Sequence, residues 1–242
     1  MRVELHSCFL LHKKAYRETS LLLEVFSENY GRVGLVAKGA AVKKALNRNL
    51  QSFTPLQISW SGRGELGNLT NAEPDGMPLL LTGDKLFSGY YINEVLIRLL
   101  HRHDPHPDLF QIYRQILGRL LETKNLESIL RLFEKKLLDE LGYGLILDHD
   151  IETGKKIMPE GVYDYVAGNG PVMMGSANVK ASGVKVRGET LLLLLSEHEL
   201  EDKESRNEAK RLMRYSLAPL LGDKPLNSRR IFETMKSKEV VQ

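Results

Sequence analysis

Two apolar segments joined by a glycine turn, residues 20–38 (SLLLEVFSENYGRVGLVAK), determine what is expected of the N-terminal part of the chain. Residues 20–26 are mostly apolar, and residues 32–38 alternate Val33, Leu35 and Ala37 with a second set, Arg32, Gly34, Val36 and Lys38, that is apolar only at Val36. This alternation is typical of strands with one buried face. The Asn29-Tyr30-Gly31 stretch supplies the residues of a hairpin turn. The segment therefore predicts an antiparallel β-hairpin.

Short strand patterns continue on both sides of this hairpin. Candidate strands cover Ser7 to His12, Leu56 to Trp60, and Glu65 to Thr70 after a glycine turn. Gly39 to Leu50 is a basic connector with room for a short helix. Five short strands within the first 80 residues predict a small barrel such as an OB-fold.

The pattern becomes helical after Leu81. Apolar residues recur at helical spacing in three segments: Asp84 to His101, Asp108 to Leu121 and Leu126 to Leu141. Further helices are predicted for Glu197 to Leu220 and for Ser228 to Met235. Each of the first three helices has one apolar face, so they are expected to pack as a bundle.

A polar, glycine-rich segment, residues 145–188, separates these helices and contains weak strand patterns at 162–166 and 171–174. The fold class predicted is α+β, with a five-stranded OB-fold barrel followed by an α-helical bundle domain. The predicted domains are residues 1–80 and 81–242, and the segment 145–188 is a small irregular insertion in the second.

Composition excludes several classes of protein. The chain has 242 residues, of which 42% are hydrophobic and 27% charged, as in an ordinary globular protein. The longest leucine run, Leu191 to Leu195, is far shorter than the ~20 residues that span a bilayer. A single cysteine, Cys8, excludes an internal disulfide and an all-cysteine metal site. We expect a cytoplasmic protein without membrane contact.

Basic residues are concentrated in two zones. Residues 29–64 contain six basic and no acidic side chains, and residues 206–238 contain nine basic and three acidic ones. Two such zones suit an extended polyanion, although ordinary solvated charge is the alternative. The candidate DNA-binding residues are Arg32, Lys38, Lys43, Lys44, Arg48 and Arg63 in the first zone and Arg206, Lys210, Arg211 and Arg214 in the second.

Single-strand binding by an OB-fold combines a cationic groove with aromatic side chains on which bases stack. Phe26 and Phe53 are expected to face the barrel interior. Tyr30, in the turn, and Trp60, at a strand end, are expected to be exposed.

Motifs that resemble catalytic or cofactor sites lack the context that these sites need. Residues 62–67 match G-x-G-x-x-G, but no helix follows, which favours a hairpin turn over a dinucleotide site. His101, His103 and His106 lie at a proline-broken helix end, where the helix dipole favours histidine. A metal-dependent nuclease using Asp148, His149 and Asp150 is an alternative without a supporting motif. We predict no catalytic residue, no cofactor and no metal.

A set of short motifs occurs in a fixed order along nearly the whole chain. In the N-terminal part these are RETSLLL (17–23), FSE (26–28), GRV (31–33), VAKGA (36–40) and QSFTPL (51–56). In the remainder they are YYINE (90–94) with Leu96, Arg131 with FE (133–134), LGYG (141–144), LG (221–222), KPL (224–226) and SR (228–229) with Phe232. Taken together in this order, the motifs resemble the RecO family of bacterial DNA repair proteins.

The resemblance implies a recombination mediator rather than an enzyme, associated with the nucleoid. RecO proteins bind single- and double-stranded DNA and the acidic C-terminal tail of the single-stranded DNA-binding protein, SSB. They anneal complementary strands, and with RecR they promote RecA loading. Many members carry four zinc-binding cysteines in the insertion, whereas residues 145–188 contain none. The insertion is therefore expected to be a degenerate zinc-finger-like module held together without zinc.

A tail peptide with apolar terminal residues needs an apolar slot bordered by cations. The residues expected to form it are Arg131, Phe133, Lys224 and Arg229. Phe133 as an ordinary core residue is the alternative. An OB-fold protein that binds RNA is the remaining alternative function, since charge alone does not separate RNA from DNA.

Overall fold

The N-terminal part of the protein is a closed five-stranded barrel in a computed structural model that describes residues 2–42, 44–62, 64–175, 183–228 and 230–231. Its strands are β1 (Arg2–Tyr16), β2 (Ser20–Ser27), β3 (Gly31–Ala37), β4 (Pro55–Ser61) and β5 (Leu66–Pro74). They are ordered β1-β2-β3-β5-β4, and β3 pairs with β5 in parallel. The predicted OB-fold barrel is confirmed, and the connector contains the short helix α1 (Lys44–Asn49).

Strand β1 is much longer than the predicted Ser7 to His12. Its first half pairs with β4 and its second half with β2. Register shifts between Val3 and His6 and between Leu10 and His12 bend the strand. The bent β1 can therefore pair with both β2 and β4, and this closes the barrel. The bulges interrupt the alternation of side chains, which is why the pattern predicted only the central part.

Aromatic residues of the barrel lie differently from the prediction. Phe26 is fully buried, but its ring packs against Phe110 outside the barrel, with 5.5 Å between centroids. Phe53 packs against Tyr90 at 5.3 Å. Trp60, expected to be exposed, is 5% exposed and belongs to the barrel core. Helices cover the outer face of the barrel at the two phenylalanines, so their burial does not imply an inward side chain.

Helices α2 (Gly83–Leu99) and α3 (Pro107–Glu122) confirm the helical spacing after Leu81. A buried hydrogen-bond chain joins them to the barrel. The Tyr113 hydroxyl donates to Asn93 Oδ1 at 2.7 Å, and Asn93 Nδ2 donates to the carbonyl of Leu11 at 3.0 Å. Burial raises the pKa of Tyr113, so the hydroxyl remains a donor.

The segment that follows Lys224 is attached to α2 through Glu94. The carboxylate accepts hydrogen bonds from the amides of Asn227 and Ser228, both at 2.8 Å, and from the Ser228 hydroxyl at 2.7 Å. Helical structure begins here at residue 227, one residue before the predicted helix Ser228 to Met235, of which residue 229 and residues 232–235 lie outside the described residues. Glu94 thus satisfies amide donors at a helix start, as a capping carboxylate does.

Contacts divide the chain into two compact units. The first contains residues 1–122 and the segment from 225 onward, and the second contains residues 123–224. In the first unit, α2 and α3 pack with the barrel. The predicted boundary at residue 80 stays a prediction.

The second unit combines three helices with a small sheet. Its elements are α4 (Leu126–Glu140), β6 (Val162–Val166), β7 (Gly170–Met173), β8 (Val184–Arg187), α5 (Gly188–Leu195) and α6 (Lys203–Leu221). The sheet has the order β7-β6-β8. The first two strands match the predicted patterns, whereas β8 and α5 were not predicted, and α6 begins six residues later than expected. The α+β class with a small insertion is confirmed.

Candidate nucleic-acid interface

The predicted cations of the barrel differ in how far they reach solvent. Lys38 follows β3 and Arg48 lies in α1, and both are exposed. Lys44 is the first residue of α1. Lys43 and Arg63 lie outside the described residues. Lys38 and Arg48 are therefore the two members of this zone that the described structure places at the surface.

Arg32 is instead part of a half-buried ion-pair network. Its guanidinium lies 3.4 Å from Glu24, and Arg102 donates to the same carboxylate. Burial lowers the pKa of Arg32, while the charge of Glu24 opposes that effect. A side chain with only 17% exposure and a fixed carboxylate partner is poorly placed to contact a phosphate. The Arg32 guanidinium is therefore engaged by a carboxylate of the barrel, and a DNA contact by this residue stays a prediction.

Lys13 fixes the basic helix α1 to the barrel. Its ammonium donates to the carbonyl of Leu50 at 2.7 Å and to Asn47 Oδ1 at 3.1 Å. Asn49 Nδ2 also donates to the carbonyl of Ala72 in β5 at 3.0 Å. Burial lowers the pKa of Lys13. These bonds hold Arg48 on a defined surface, and no pattern in the sequence indicated them.

A further set of surface residues on β1 and its turn was also missed. Lys14 and Arg17 are exposed, and Tyr16 is half-buried. Lys14 pairs with Leu22, Leu22 with Val36, and Val36 with Asn68. Directly opposed residues share a sheet face, so these four side chains form one row across the outside of the barrel. The basic residues at 13–17 were the available signal, but they precede the zone considered.

The second basic zone lies on α6, in the second unit. Arg206 and Lys210 are engaged with Glu127, at 3.6 and 3.0 Å. Burial would raise the pKa of Glu127, but the hydrogen bond and charge of Lys210 outweigh it and lower the pKa. Arg211 and Arg214 are exposed. Two of the four predicted residues therefore already neutralise a carboxylate of their own unit.

The residues predicted to form the tail-binding slot are mostly buried or undescribed. Phe133 is fully buried, and Arg131 is 6% exposed. An Nη of Arg131 lies 2.6 Å from Glu134, whereas its Nε is buried and has no hydrogen-bond partner. Lys224 is exposed after the end of α6, and Arg229 lies outside the described residues.

Comparison with known proteins assigns the family. The model described as "Recombination protein O N terminal" matches residues 1–76, and the one described as "Recombination protein O C terminal" matches residues 80–230. The chain belongs to the recombination protein O family.

Similar members of the recombination protein O family cover nearly the full length of the chain. A DNA repair protein RecO from Nitrosococcus oceani is 47% identical, over 98% of this chain and 95% of its own. Those from Methylococcus capsulatus and Nitrosospira multiformis are 45% and 42% identical, each over 96% of this chain. They cover 94% and 96% of their own lengths.

In this member of the recombination protein O family, Asp150 organises the cysteine-free insertion. One carboxylate oxygen accepts hydrogen bonds from the Glu152 and Thr153 amides and the Thr153 hydroxyl, at 2.8–3.0 Å. The other accepts from the Met173 amide at 2.6 Å. Asp150 is 3% exposed, so its oxygens are committed to the loop.

The alternative nuclease site does not assemble. Asp148 and His149 form an exposed pair, 2.7 Å apart, which lowers the pKa of Asp148. Asp150 faces its own loop, and no group of three His, Cys, Asp or Glu side chains that could hold a metal occurs among the described residues. The G-x-G-x-x-G motif spans the turn between β4 and β5, as predicted for a hairpin. None of the described helices is long and apolar enough to cross a membrane.

Proposed function

We propose that this chain is a non-enzymatic mediator of recombinational DNA repair that binds single- and double-stranded DNA. The observation that carries the proposal is the near full-length similarity to proteins named DNA repair protein RecO. The closed barrel supports it, because an OB-fold with exposed cations is suited to a nucleic-acid backbone. The proposed contacts on the barrel are Lys38, Lys43, Lys44, Arg48 and Arg63, and Arg211 and Arg214 supply contacts from α6.

Phosphate contacts make a specific prediction about salt. Each phosphate neutralised steepens the dependence of log K on log salt by about 0.7 for a single strand. Replacing Lys38 and Arg48 with Glu should therefore weaken binding at low salt and flatten this slope by at least about 1.4. Arg114→Glu with Arg119→Glu is the matched control, because both residues are exposed on α3 of the same unit.

The test measures oligothymidylate binding by fluorescence anisotropy at several salt concentrations. Loss of affinity in the Lys38/Arg48 variant, with the α3 variant unchanged, supports the proposed interface. Equal effects of the two pairs would show only a dependence on net charge. An RNA oligonucleotide of the same length is included, and a marked preference for RNA would favour the alternative function.

The second unit is proposed to receive the SSB tail. Arg131 supports this, because a buried Nε–H without an acceptor is a donor that a peptide carboxylate would satisfy. Phe133 would pack beneath the peptide, and Lys224, in the same unit, would border it. Arg131→Glu would place a second carboxylate beside that of Glu134, so Arg131→Lys and Lys224→Glu are better variants. Lys155→Glu, an exposed change in the same unit, is the control.

The complete activity is tested by annealing two complementary labelled strands coated with SSB. Faster annealing in the presence of the protein, lost with tail-less SSB, would support both the mediator function and the tail contact. Intact strand binding without faster annealing would contradict the mediator function. We further propose that RecR acts with this chain in loading RecA, which is tested by the ATPase activity of RecA on an SSB-coated single strand with and without RecR and this chain.

A further inference from the structure

The turn between β1 and β2 presents an aromatic ring and a guanidinium in contact. The Arg17 guanidinium carbon lies 5.2 Å from the centroid of the Tyr16 ring. Tyr16 is half-buried and Arg17 is exposed. Both groups have planar faces that stack on nucleobases in single-strand binding proteins. The pair therefore offers a surface of the kind that an unpaired base needs.

The backbone at Arg17 is unusual for this residue. Its φ is 54°, in the left-handed region that favours glycine. A glycine would adopt this turn more easily, but it would lack the guanidinium that lies over the Tyr16 ring. Strained positions of this kind concentrate at functional sites, so this conformation is consistent with a functional role for the Arg17 side chain.

The turn lies beside the proposed DNA-binding surface. The amide of Ala41, in the basic connector, donates to the carbonyl of Thr19 at 3.0 Å. Tyr16 and Lys14 are two residues apart in β1 and so share a sheet face. That face continues through Leu22, Val36 and Asn68. An aromatic group, a partly apolar strip and exposed cations therefore adjoin one another on the outside of the barrel.

We propose that Tyr16 and Arg17 form a base-stacking site for a single-stranded nucleic acid. The strand's phosphates would contact Lys14 and Lys38, and one base would stack on the pair. The positive charge at the border matches a polyanion, and the planar groups match bases with a free face. Bases in a duplex have no free face, so the site would favour single strands. This inference rests on the proposed nucleic-acid binding of the barrel.

The first experiment compares Tyr16→Ala with Tyr16→Phe in binding to oligothymidylate and to a DNA duplex. Stacking of one base on an aromatic side chain accounts for about five- to 150-fold in affinity. We expect Tyr16→Ala to weaken oligothymidylate binding about tenfold, with unchanged duplex affinity and an unchanged salt slope. Tyr16→Phe should bind like the parent chain, because it retains the ring.

Arg17→Gly separates binding from folding. Glycine suits the left-handed backbone, so this variant should melt at the same or a higher temperature. It should nevertheless bind oligothymidylate more weakly. A variant that is more stable and binds normally would show that Arg17 does not contact the strand, and would overturn its part in the site.

Photocrosslinking locates the base directly. Oligothymidylate carrying one iododeoxyuridine is bound, irradiated in the near ultraviolet and mapped by mass spectrometry. A crosslink at Tyr16 is expected, and it should disappear in Tyr16→Ala. Unchanged affinity of Tyr16→Ala, or crosslinks confined to other surfaces, would overturn the stacking site. The Lys38/Arg48 variant distinguishes failure of the stacking site from failure of the proposed function. If Tyr16→Ala binds normally while the Lys38/Arg48 variant loses DNA affinity, the stacking site is wrong and the proposed function stands.

Discussion

Replacing Asp150 with alanine should destabilise the insertion of the second unit. The carboxylate accepts four hydrogen bonds, three from amides and one from a hydroxyl, at 2.6–3.0 Å. Hydrogen bonds to charged groups contribute about 1.5–3 kcal/mol each, but bonds that share one acceptor group are not additive. Since water can reach part of the loop, we expect the free energy of unfolding to fall by about 3 kcal/mol.

Asp150→Asn distinguishes the charge from the volume of the side chain. The amide keeps one acceptor oxygen, but its NH₂ group would face at least one of the amides that now donate to Asp150. We expect a loss of about 2 kcal/mol, less than for alanine. Asp148→Asn is the matched control: its carboxylate is exposed, and no measurable change in unfolding is expected.

Hydrogen exchange of individual amides is the assay best suited to this site. The amides of Thr153 and Met173 should exchange faster in Asp150→Ala, whereas barrel amides in the first unit should be unchanged. Hydrogen bonds lower the pKa of Asp150 below its ordinary value although burial opposes them. The carboxylate therefore stabilises the fold at neutral pH, and this contribution is lost as the pH falls through the lowered pKa. A chelator should have no effect. Unchanged exchange in Asp150→Ala would refute the reasoning.

Three changes in the first unit test its internal contacts. Glu94→Gln should release the segment that begins at Pro225, which would be seen as faster cleavage there by trypsin. Hydrogen bonds lower the pKa of Glu94, although burial opposes them. Acid should therefore reproduce this release once the pH falls below the ordinary pKa of a glutamate. Tyr113→Phe removes the donor to Asn93 and should lower the free energy of unfolding by about 1–2 kcal/mol in a urea titration, with the far-ultraviolet circular dichroism unchanged. Gly31→Ala would place a Cβ 1.8 Å from the carbonyl oxygen of Asp104, at a φ of 63° that favours glycine. The purified variant should therefore melt well below the parent chain. Equal melting temperatures would contradict the described contact.

Sequence patterns predicted the barrel because its inward residues alternate along β2, β3 and β4. They did not predict which outward residues are covered by helices. Phe26 and Phe53 lie under α3 and α2, a consequence of tertiary packing that a strand pattern does not contain. The predicted exposure of Trp60 was wrong. Its position at a strand end suggested exposure, but Val3 of β1 lies opposite it, and both side chains are buried in the barrel core.

The second unit was harder to predict because its elements are short. Helix α5 contains five consecutive leucines, a run without the periodicity of an amphipathic helix. Strand β8 alternates Val184 and Val186 with basic residues, but four residues are too few to stand out. At the candidate interface, the run of cations predicted Lys38 and Arg48, which are exposed, whereas the pairing of Arg32 with Glu24 required the three-dimensional structure.

The attachment of Glu94 to Ser228 has a consequence for the order in which the protein is synthesised. Ser228 follows Glu94 by 134 residues, so the barrel and α2 leave the ribosome long before the partner of this carboxylate exists. The whole second unit is translated in between. A nascent chain stalled before Pro225 would carry a barrel with its pairing complete and a partly buried carboxylate on α2 without the amides that satisfy it. This contact within the first unit thus forms only after the whole second unit has been translated.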